Sequence, residues 1–212
     1  MYLPLFIKTQ QLRCLVVGGG SVAERKVELL LASSCVVTVV APSVDARIRT
    51  AAGSGLLTWH ARDFTDGDCA GFQLVIAATP REAVNRAVSE EAQKLGIPVN
   101  VVDSLQLCTA IFGATWRDGP LTISISSGGT APFMAAAVRD RIGKAAGGMG
   151  RWIEAGGQFR AAVRTEVRDP AARARLYRLF AERAQAGPPA ALPRGRTLGD
   201  WLEWLGLCKT PD

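Results

Sequence analysis

The sequence predicts an α/β fold, in which a doubly wound parallel sheet is followed by a small helical module. Three observations predict it. Short, nearly continuous apolar runs recur through the first half of the chain, stretches of helical apolar spacing separate them, and only helical patterns follow Pro132. Strands that are apolar on both faces need cover on both sides of their sheet, and alternating helices supply it through right-handed crossovers.

The candidate strands are five apolar runs, and a helix is expected in each interval between them. The runs are Leu12–Val17, Val36–Val40, Leu56–Trp59, Leu74–Ala78 and Pro98–Val102. The clearest helix extends from Arg81 to Leu95, with Gly96 as its stop signal. A further strand, Leu121–Ser126, follows the turn Asp118-Gly119-Pro120. We place the sheet domain at residues 1–112.

The last part of the chain combines helical apolar stripes with glycine and proline linkers. The stripes are Val138 and Ile142, then Trp152, Phe159, Val163 and Val167, then Leu176, Leu179 and Phe180. The expected linkers are Gly147-Gly148 and Gly187-Pro188-Pro189 with Pro193 and Gly195. Residues 146–212 are therefore expected to form a helical C-terminal module, in which the tryptophans at 152, 201 and 204 serve packing or a subunit contact rather than cofactor binding.

The composition, 48% hydrophobic and 21% charged, is that of a globular protein. Five scattered cysteines form no C-x-x-C pair, so we expect reduced, mostly buried thiols and no standing metal site. The apolar start Met1–Ile7 lacks the basic region and cleavage site of a signal peptide. No apolar run reaches the roughly 18 residues of a membrane span. These features favour a cytoplasmic protein with no membrane partner.

The net charge of +6 is concentrated in the last third of the chain. Residues 133–212 contain 14 Lys and Arg against 8 Asp and Glu, whereas residues 1–132 contain 11 and 11. This excess serves either solubility or the attraction of a polyanionic ligand, a nucleic acid or an anionic membrane. No recognisable nucleic-acid motif accompanies it, so a nucleic-acid partner is not expected.

A glycine-rich turn joins the first candidate strand to a helix, and Gly18, Gly20 and Ala23 fit the pattern G-x-G-x-x-A at that place. Gly18 permits the tight turn, Gly20 lets the backbone approach a pyrophosphate, and small Ala23 permits close packing of helix on strand. The helix N-terminus offers N–H groups to phosphates. The sequence therefore predicts a Rossmann-like dinucleotide-binding sheet.

Two other parts of this site leave alternatives open. The carboxylate that normally follows the second strand and binds the adenosine ribose is missing, because Ala41-Pro42-Ser43 stands there. Residue chemistry therefore leaves NAD and NADP open. Thr79, at the end of the fourth strand, is placed either to bond the cofactor or to cap the next helix.

Asp103 closes the fifth strand, on the side of the sheet where the cofactor crevice opens. A partly desolvated carboxylate there is suited to accept a proton from a substrate, or else to cap the following loop. The loop from Ser126 to Pro132 offers hydroxyls and N–H groups that suit anionic carboxylates, or ordinary turn and N-cap duties. The single histidine, His60, is expected to be structural.

Taken in order along the chain, these residues resemble one family, the N-terminal module of siroheme synthase, which combines precorrin-2 dehydrogenase and sirohydrochlorin ferrochelatase. The resemblance extends from Tyr2 to about Lys144. Its carriers are Leu3-Pro4-Leu5-Phe6, Val17–Lys26, Ala77-Ala78-Thr79, Asn100-Val101-Val102-Asp103 and Ser126–Pro132. Glycine loops are common, but this ordered set is specific.

The resemblance implies NAD-dependent oxidation of precorrin-2 to sirohydrochlorin in siroheme biosynthesis, with Asp103 as the catalytic carboxylate. In members that also chelate metal, it implies ferrous iron as a transient partner. It further implies an intertwined homodimer, with residues 113–145 as the dimerisation region and the tetrapyrrole lying between that region and the cofactor domain. Ser127 matches a serine that is phosphorylated in some members.

Together, the motifs and the resemblance give two sets of candidate contacts. The cofactor set is Gly18, Gly20, Ser21, Val22, Ala23, Pro42, Ser43 and Thr79. The substrate set is Asn100, Ser127, Gly128, Gly129, Thr130 and Arg139, with Arg141 and Lys144 as further cations for the carboxylates of precorrin-2. The alternative function is an NAD-sensing regulatory domain without catalysis, and Asp103 separates the two hypotheses because sensing needs no base.

Overall fold

The computed structural model describes residues 1–184, 193 and 197–207, which form two units divided between Phe112 and Gly113. Most of the expected linker, Gly187-Pro188-Pro189 and Gly195, lies outside these described residues, as does Cys208. No helix in the described part of the chain is long and apolar enough to cross a membrane.

The first unit contains a five-stranded parallel sheet in the order β3-β2-β1-β4-β5. The strands are β1 (Arg13–Val17), β2 (Val36–Val40), β3 (Thr58–His60), β4 (Leu74–Ala77) and β5 (Val99–Val101). The helices are α1 (Ser21–Ala32), α2 (Ala46–Gly53) and α3 (Glu82–Lys94). The predicted doubly wound parallel sheet is confirmed.

The central strand β1 is buried on both faces. Cys14 and Val16 lie in one hydrophobic core, whereas Leu15 and Val17 lie in a second core that also contains Val88 of α3. Successive side chains of a strand point to opposite faces, so a strand that is covered on both sides has to be apolar at every position. This explains the continuous apolar run by which the strand could be recognised.

One expected helix is absent from the sheet domain. Residues 61–73, between β3 and β4, form turns instead of a helix. An ion pair between Arg62 and Asp68 and two backbone hydrogen bonds to Glu91, from Gly67 and Cys69, hold this connection. The prediction was wrong here because Asp and Gly favour turns over helices. The third strand also lies slightly later than predicted, at Thr58–His60.

The second unit begins with an antiparallel hairpin, β6 (Ala114–Asp118) and β7 (Leu121–Ile125), followed by α4 (Pro132–Ala146). The sequence predicted β7 but missed β6, because its alternating pattern lacks an apolar run. Gly143 of α4 lies against the Trp116 ring, where a Cβ would come within 2.6 Å of ring atoms.

The C-terminal helices are α5 (Met149–Glu166), α6 (Pro170–Ala184) and α7 (Leu198–Trp204). Their core is aromatic: the rings of Phe159 and Phe180 stack with centroids 4.9 Å apart, and Trp152 meets Phe180 edge-on at 5.3 Å. Trp201 is fully buried in the same core, which Trp204 partly covers. The expected packing role of the three tryptophans is confirmed.

Four cysteines fall in the described part of the chain, and all are free thiols. Cys14, Cys35 and Cys69 are buried, while Cys108 is half-buried. Burial raises the pKa of Cys14 and that of Cys69 to about 12, so both thiols stay protonated at neutral pH. Most of the described cysteines are therefore inert core residues, as expected.

Candidate functional site

The N-terminus of α1 opens at the carboxyl end of β1. Gly20 is its N-cap, and the first helical hydrogen bond runs from Glu24 N to Gly20 O. The N–H groups of Ser21, Val22 and Ala23 precede that bond, so they carry the unpaired donors and the positive end of the helix dipole. This end of the helix is suited to an anionic group.

Each glycine of the turn has a different environment. Gly18 has φ +126°, and a Cβ there would lie 2.3 Å from the carbonyl oxygen of Ala78. A Cβ on Gly19 would lie 2.1 Å from the carbonyl oxygen of Ser43, whereas a Cβ on Gly20 would meet nothing within 4 Å. Gly18 and Gly19 therefore permit packing within the protein, and Gly20 leaves open space beside the helix N-terminus.

A cleft of about 690 Å³ opens beside that N-terminus, at the point where the strand order reverses between β1 and β4. Its lining comes from three segments: the start of α1, the turn from β4 into α3, and the residues that follow β5. The lining residues are Gly20, Ser21, Val22, Ala78, Thr79, Pro80, Glu82, Asn85, Val102, Asp103, Ser104 and Leu107. Of the predicted site residues, the cleft therefore brings together Gly20, Ser21, Val22, Thr79 and Asp103.

Asp103 lies at this cleft in a left-handed backbone conformation, with φ +57°. Such a conformation is uncommon for residues other than glycine, but Asp tolerates it better than most. Val102 N donates to Ala77 O at 3.0 Å just before it. The side chain of Asp103 is exposed, so this unit by itself does not supply the partial desolvation that was expected.

The segment after Asp103 is fixed by buried polar groups. Ser89 Oγ of α3 donates to Leu107 O at 2.7 Å, and Val101 N donates to the sulfur of Cys108 at 3.1 Å. The carboxamide of Asn100 donates to Ala110 O at 3.0 Å. Asn100 is 8% exposed and does not line the cleft. Its observed contacts support the segment that follows Asp103, and its predicted substrate contact stays a prediction.

Lys26, which carried no predicted role, lies close to this segment. Its Nζ lies 4.4 Å from the centroid of the Phe112 ring, in a cation–π arrangement. Burial, followed by the charge of Arg25, lowers the pKa of Lys26, while Cys108 and Asp103 act in the opposite direction. The half-buried ammonium group of Lys26 therefore interacts electrostatically with the segment that contains Asp103 and Cys108.

Thr79 is held by Asn85 of α3. Asn85 Oδ1 accepts from Thr79 N at 3.2 Å and from Thr79 Oγ1 at 2.8 Å, and Asn85 Nδ2 donates to Thr79 O at 2.9 Å. Thr79 Oγ1 also accepts from Arg81 N at 3.2 Å. The hydroxyl is therefore engaged at the start of the helix, although the N-cap residue itself is Arg81. Asn85 carried no predicted role.

The segment after β2, where the ribose carboxylate is missing, does not reach the cleft. Pro42 and Ser43 are exposed and lie outside the lining of the cleft. The two arginines that follow on α2 are already engaged, because Arg47 pairs with Glu28 at 2.5 Å and Arg49 donates to Val44 O at 3.4 Å. Neither guanidinium is therefore positioned to bind the 2′-phosphate by which NADP differs from NAD.

The predicted substrate loop belongs to the second unit, where its polar groups build a turn. Ser127 Oγ accepts from Ala131 N at 3.0 Å, and Thr130 Oγ1 donates to Ser127 O at 2.7 Å. Gly128 and Gly129 adopt φ values of +66° and +86°, which favour glycine. Arg139 of α4 pairs with Asp140 at 2.6 Å. The contacts of Ser127 and Thr130 stabilise the turn. Such a structural role was the alternative to ligand binding in the sequence analysis.

Metal and histidine chemistry have little structural support. Within residues 1–184, 193 and 197–207, no group of three or more His, Cys, Asp and Glu side chains is arranged to hold a metal ion. His60 ends the edge strand β3 and is not among the residues of the cleft.

A glycine turn after the first strand, an open helix N-terminus and a cleft at the switch point define a dinucleotide-binding domain. A family model for NAD(P)-binding domains matches residues 5–114, and the chain belongs to this family. A second family model, for the central part of sirohaem biosynthesis proteins, matches residues 118–145.

Siroheme synthases are similar to most of this chain. The protein of Methylococcus capsulatus (strain Bath) is 42% identical over 192 residues, which are 90% of this chain and 40% of that protein. The protein of Pseudomonas putida (strain F1) is 47% identical over 141 residues, which are 66% of this chain and 30% of that protein. The resemblance to siroheme synthase is confirmed, and the chain spans well under half the length of these relatives.

A solved structure named "SirC, precorrin-2 dehydrogenase" has the same fold. Its TM-score to this chain is 0.71, over 97% of this chain and 98% of that chain. The sequence identity is 22%, so this similarity concerns the fold. It agrees with the predicted combination of a parallel sheet and C-terminal helices.

Proposed function

We propose that this chain oxidises precorrin-2 to sirohydrochlorin with NAD, as a step of siroheme biosynthesis. One observation carries the proposal: the N-terminus of α1 and the carboxylate of Asp103 border a single cleft at the switch point of the sheet. The first is a site for a dinucleotide pyrophosphate, and the second is a proton acceptor. Similarity to siroheme synthases supplies the substrate class.

The chain fits NAD at this cleft. The N–H groups of Ser21 and Val22 would hold the pyrophosphate, and the open space at Gly20 leaves room for it. NAD is favoured over NADP because Arg47 is paired with Glu28 and is not held towards a 2′-phosphate. When bound, NAD supplies the acceptor for a hydride.

Asp103 has the proton-accepting role in this proposal. Oxidation of precorrin-2 removes one hydride, which carries two electrons to NAD, and one proton, which the carboxylate of Asp103 takes. Its exposure within this unit leaves it accessible to a large macrocycle.

The basic last third of the chain supports a polyanionic substrate. Arg141 and Lys144 of α4 are exposed, which leaves them free to pair with the carboxylates of precorrin-2. Arg139 would have to exchange its contact with Asp140 for a substrate carboxylate. We assign to Ser127–Thr130 a supporting role in the same binding surface.

We also propose that the protein is a homodimer through α4. Four apolar residues of α4 are exposed: the exposed fraction is 71% for Phe133, 52% for Met134, 40% for Val138 and 38% for Ile142. The last two form the apolar stripe that was seen in the sequence. Apolar residues grouped on one exposed helix mark a contact surface.

The free thiols are consistent with a cytoplasmic location.

Insertion of ferrous iron into sirohydrochlorin is the second candidate reaction of this cleft. Asp103 favours it, because metal insertion releases pyrrole protons that a carboxylate can accept and because carboxylate oxygen can bind ferrous iron transiently. Iron would act as a substrate here, in keeping with the lack of a three-ligand cluster in the described residues.

The test is an anaerobic assay of the purified chain with precorrin-2 and NAD, followed by absorbance of NADH and of sirohydrochlorin. We expect one NADH for each sirohydrochlorin formed, and omission of NAD is the control. Ferrous iron is added afterwards to test chelation. Tight binding of NADH without any turnover of precorrin-2 would contradict the proposal and favour the NAD-sensing alternative.

A further inference from the structure

Asn85 is a buried polar residue on a helix face that otherwise packs into the core. It is 8% exposed, and its neighbour on that face, Val88, is fully buried. A buried carboxamide is costly unless its hydrogen bonds are satisfied. Asn85 satisfies them on one residue, because both its oxygen and its nitrogen bond Thr79.

The geometry of these contacts suits a carboxamide. Thr79 presents an N–H donor and a C=O acceptor towards α3, so its partner has to accept one hydrogen bond and donate another. The hydroxyl of Thr79 has two acceptors for its one proton, Asn85 Oδ1 at 2.8 Å and Arg81 O at 3.1 Å. Among side chains, only Asn and Gln combine a carbonyl oxygen with an NH₂ group in this way. A residue needed only for packing would be apolar at this position.

The segment that Asn85 holds lies against the glycine turn. Ala78 N donates to Val17 O at 2.8 Å, and the carbonyl oxygen of Ala78 occupies the space that a Cβ on Gly18 would need. A displacement of Ala78 and Thr79 would therefore displace the Gly18 turn or open the cleft beside it. Thr79 and Asn85 both line this cleft.

We propose that Asn85 is a positioning residue for the dinucleotide: by clasping Thr79 from α3, it sets the width of the cleft between the β4–α3 turn and the N-terminus of α1. This inference rests on the proposed use of NAD. In this proposal Thr79 shapes the cleft and does not bond the cofactor, because its main-chain groups and its hydroxyl are already bonded within the protein.

The test is a fluorescence titration of the purified full chain with NADH, which reads cofactor affinity without catalysis. Asn85→Ala should raise the Kd for NADH about tenfold, a change equivalent to about 1.4 kcal/mol. The matched control is Val88→Ala, which cuts a fully buried side chain on the same helix without touching Thr79. It should lower the melting temperature and leave the Kd within twofold.

Asn85→Gln covers the case in which the alanine variant does not fold. It keeps the same polar groups but places them one methylene further out, so the clasp cannot form in the same geometry; we expect a rise in Kd of at least threefold. Wild-type affinity in both Asn85 variants, or an equal loss in Val88→Ala, would overturn the inference. No NADH binding by the wild-type chain would instead refute the proposed function.

Discussion

The two units of the molecule differ in how their apolar residues are used. In the first unit, the large aliphatic side chains of the sheet are covered on both faces, and polar side chains such as Asn85 and Ser89 fix the loops at one edge. In the second unit, the core is aromatic, while α4 leaves Phe133 and Met134 exposed. The first unit thus carries a cleft, and the second exposes apolar side chains on α4.

On this difference we base the proposal that the first unit performs the chemistry and the second mediates assembly. The cleft lies within a unit whose backbone is fixed by the sheet, as a proton acceptor near a cofactor requires. The exposed apolar side chains of α4 and the whole excess positive charge lie in the second unit, in keeping with the proposed binding of a second copy and of a polyanionic substrate. The first unit also exposes apolar side chains, at Leu3, Leu5 and Phe6. Four predictions test this division.

The largest expected effect is on catalysis, and it sharpens the assignment of chemistry to the first unit. Asp103→Asn keeps the shape of the side chain but removes the proton acceptor, so kcat for precorrin-2 oxidation should fall by about 10²- to 10⁴-fold. The Kd for NADH should change little. Asp66→Asn, at an exposed loop position, is the control. Equal loss of activity in both variants would contradict the assignment.

The second prediction concerns assembly and could break the comparison. Ile142→Asp places a charge in the exposed apolar stripe of α4, so the dimer Kd should rise about a hundredfold, while NADH affinity stays unchanged. Analytical ultracentrifugation measures the change. Ala174→Asp, at an exposed position of α6, should leave the dimer intact. A dimer unaffected by Ile142→Asp would show that α4 is not the contact surface.

The third prediction separates folding from binding within the glycine turn. Gly18→Ala meets backbone atoms at a φ of +126°, so it should destabilise the protein by about 2 kcal/mol or more, measured by urea unfolding. Gly20→Ala meets nothing within 4 Å, so stability should be kept while the Kd for NADH rises. If Gly20→Ala binds NADH normally, the pyrophosphate does not lie there.

The smallest expected effect is on the pH dependence of stability. It concerns the connection between β3 and β4, which contains no helix. Arg62 lowers the pKa of Asp68, with hydrogen bonds from Thr65 contributing. A lowered pKa stabilises the fold above the ordinary value of 3.8, and the benefit is lost as pH falls through the depressed pKa. Asp68→Asn should cost about 0.5–1 kcal/mol at pH 7 and nothing well below pH 3.8. Thermal unfolding across this range checks it.

The sheet could be predicted because burial on both faces leaves a continuous apolar run in each main strand. The strand β6 could not, since a hairpin with one covered face alternates apolar and polar residues, and Trp116 is its only strong apolar signal. The expected helix before β4 failed because Asp and Gly between residues 61 and 73 favour turns. Where hydrophobic periodicity was weak, the conformational preferences of individual residues determined which element formed.

The site was predictable only in part. The glycine turn and Asp103 follow from their position at strand ends, where parallel sheets place their clefts. Gly19, Asn85 and Lys26 were missed because their roles depend on tertiary contacts with Ser43, Thr79 and Phe112, which hydrophobic periodicity does not reveal. An asparagine on the buried face of a helix, beside Val88 and Ala92, was the one signal that could have indicated Asn85.

The most direct test of the account is a crystal structure of this chain soaked with NAD. We expect the pyrophosphate on the N–H groups of Ser21 and Val22, beside Gly20, and the nicotinamide ring on the side of the cleft that carries Asp103. A pyrophosphate bound elsewhere, or a nicotinamide ring directed away from Asp103, would contradict the claim that one cleft holds both the cofactor and the proton acceptor.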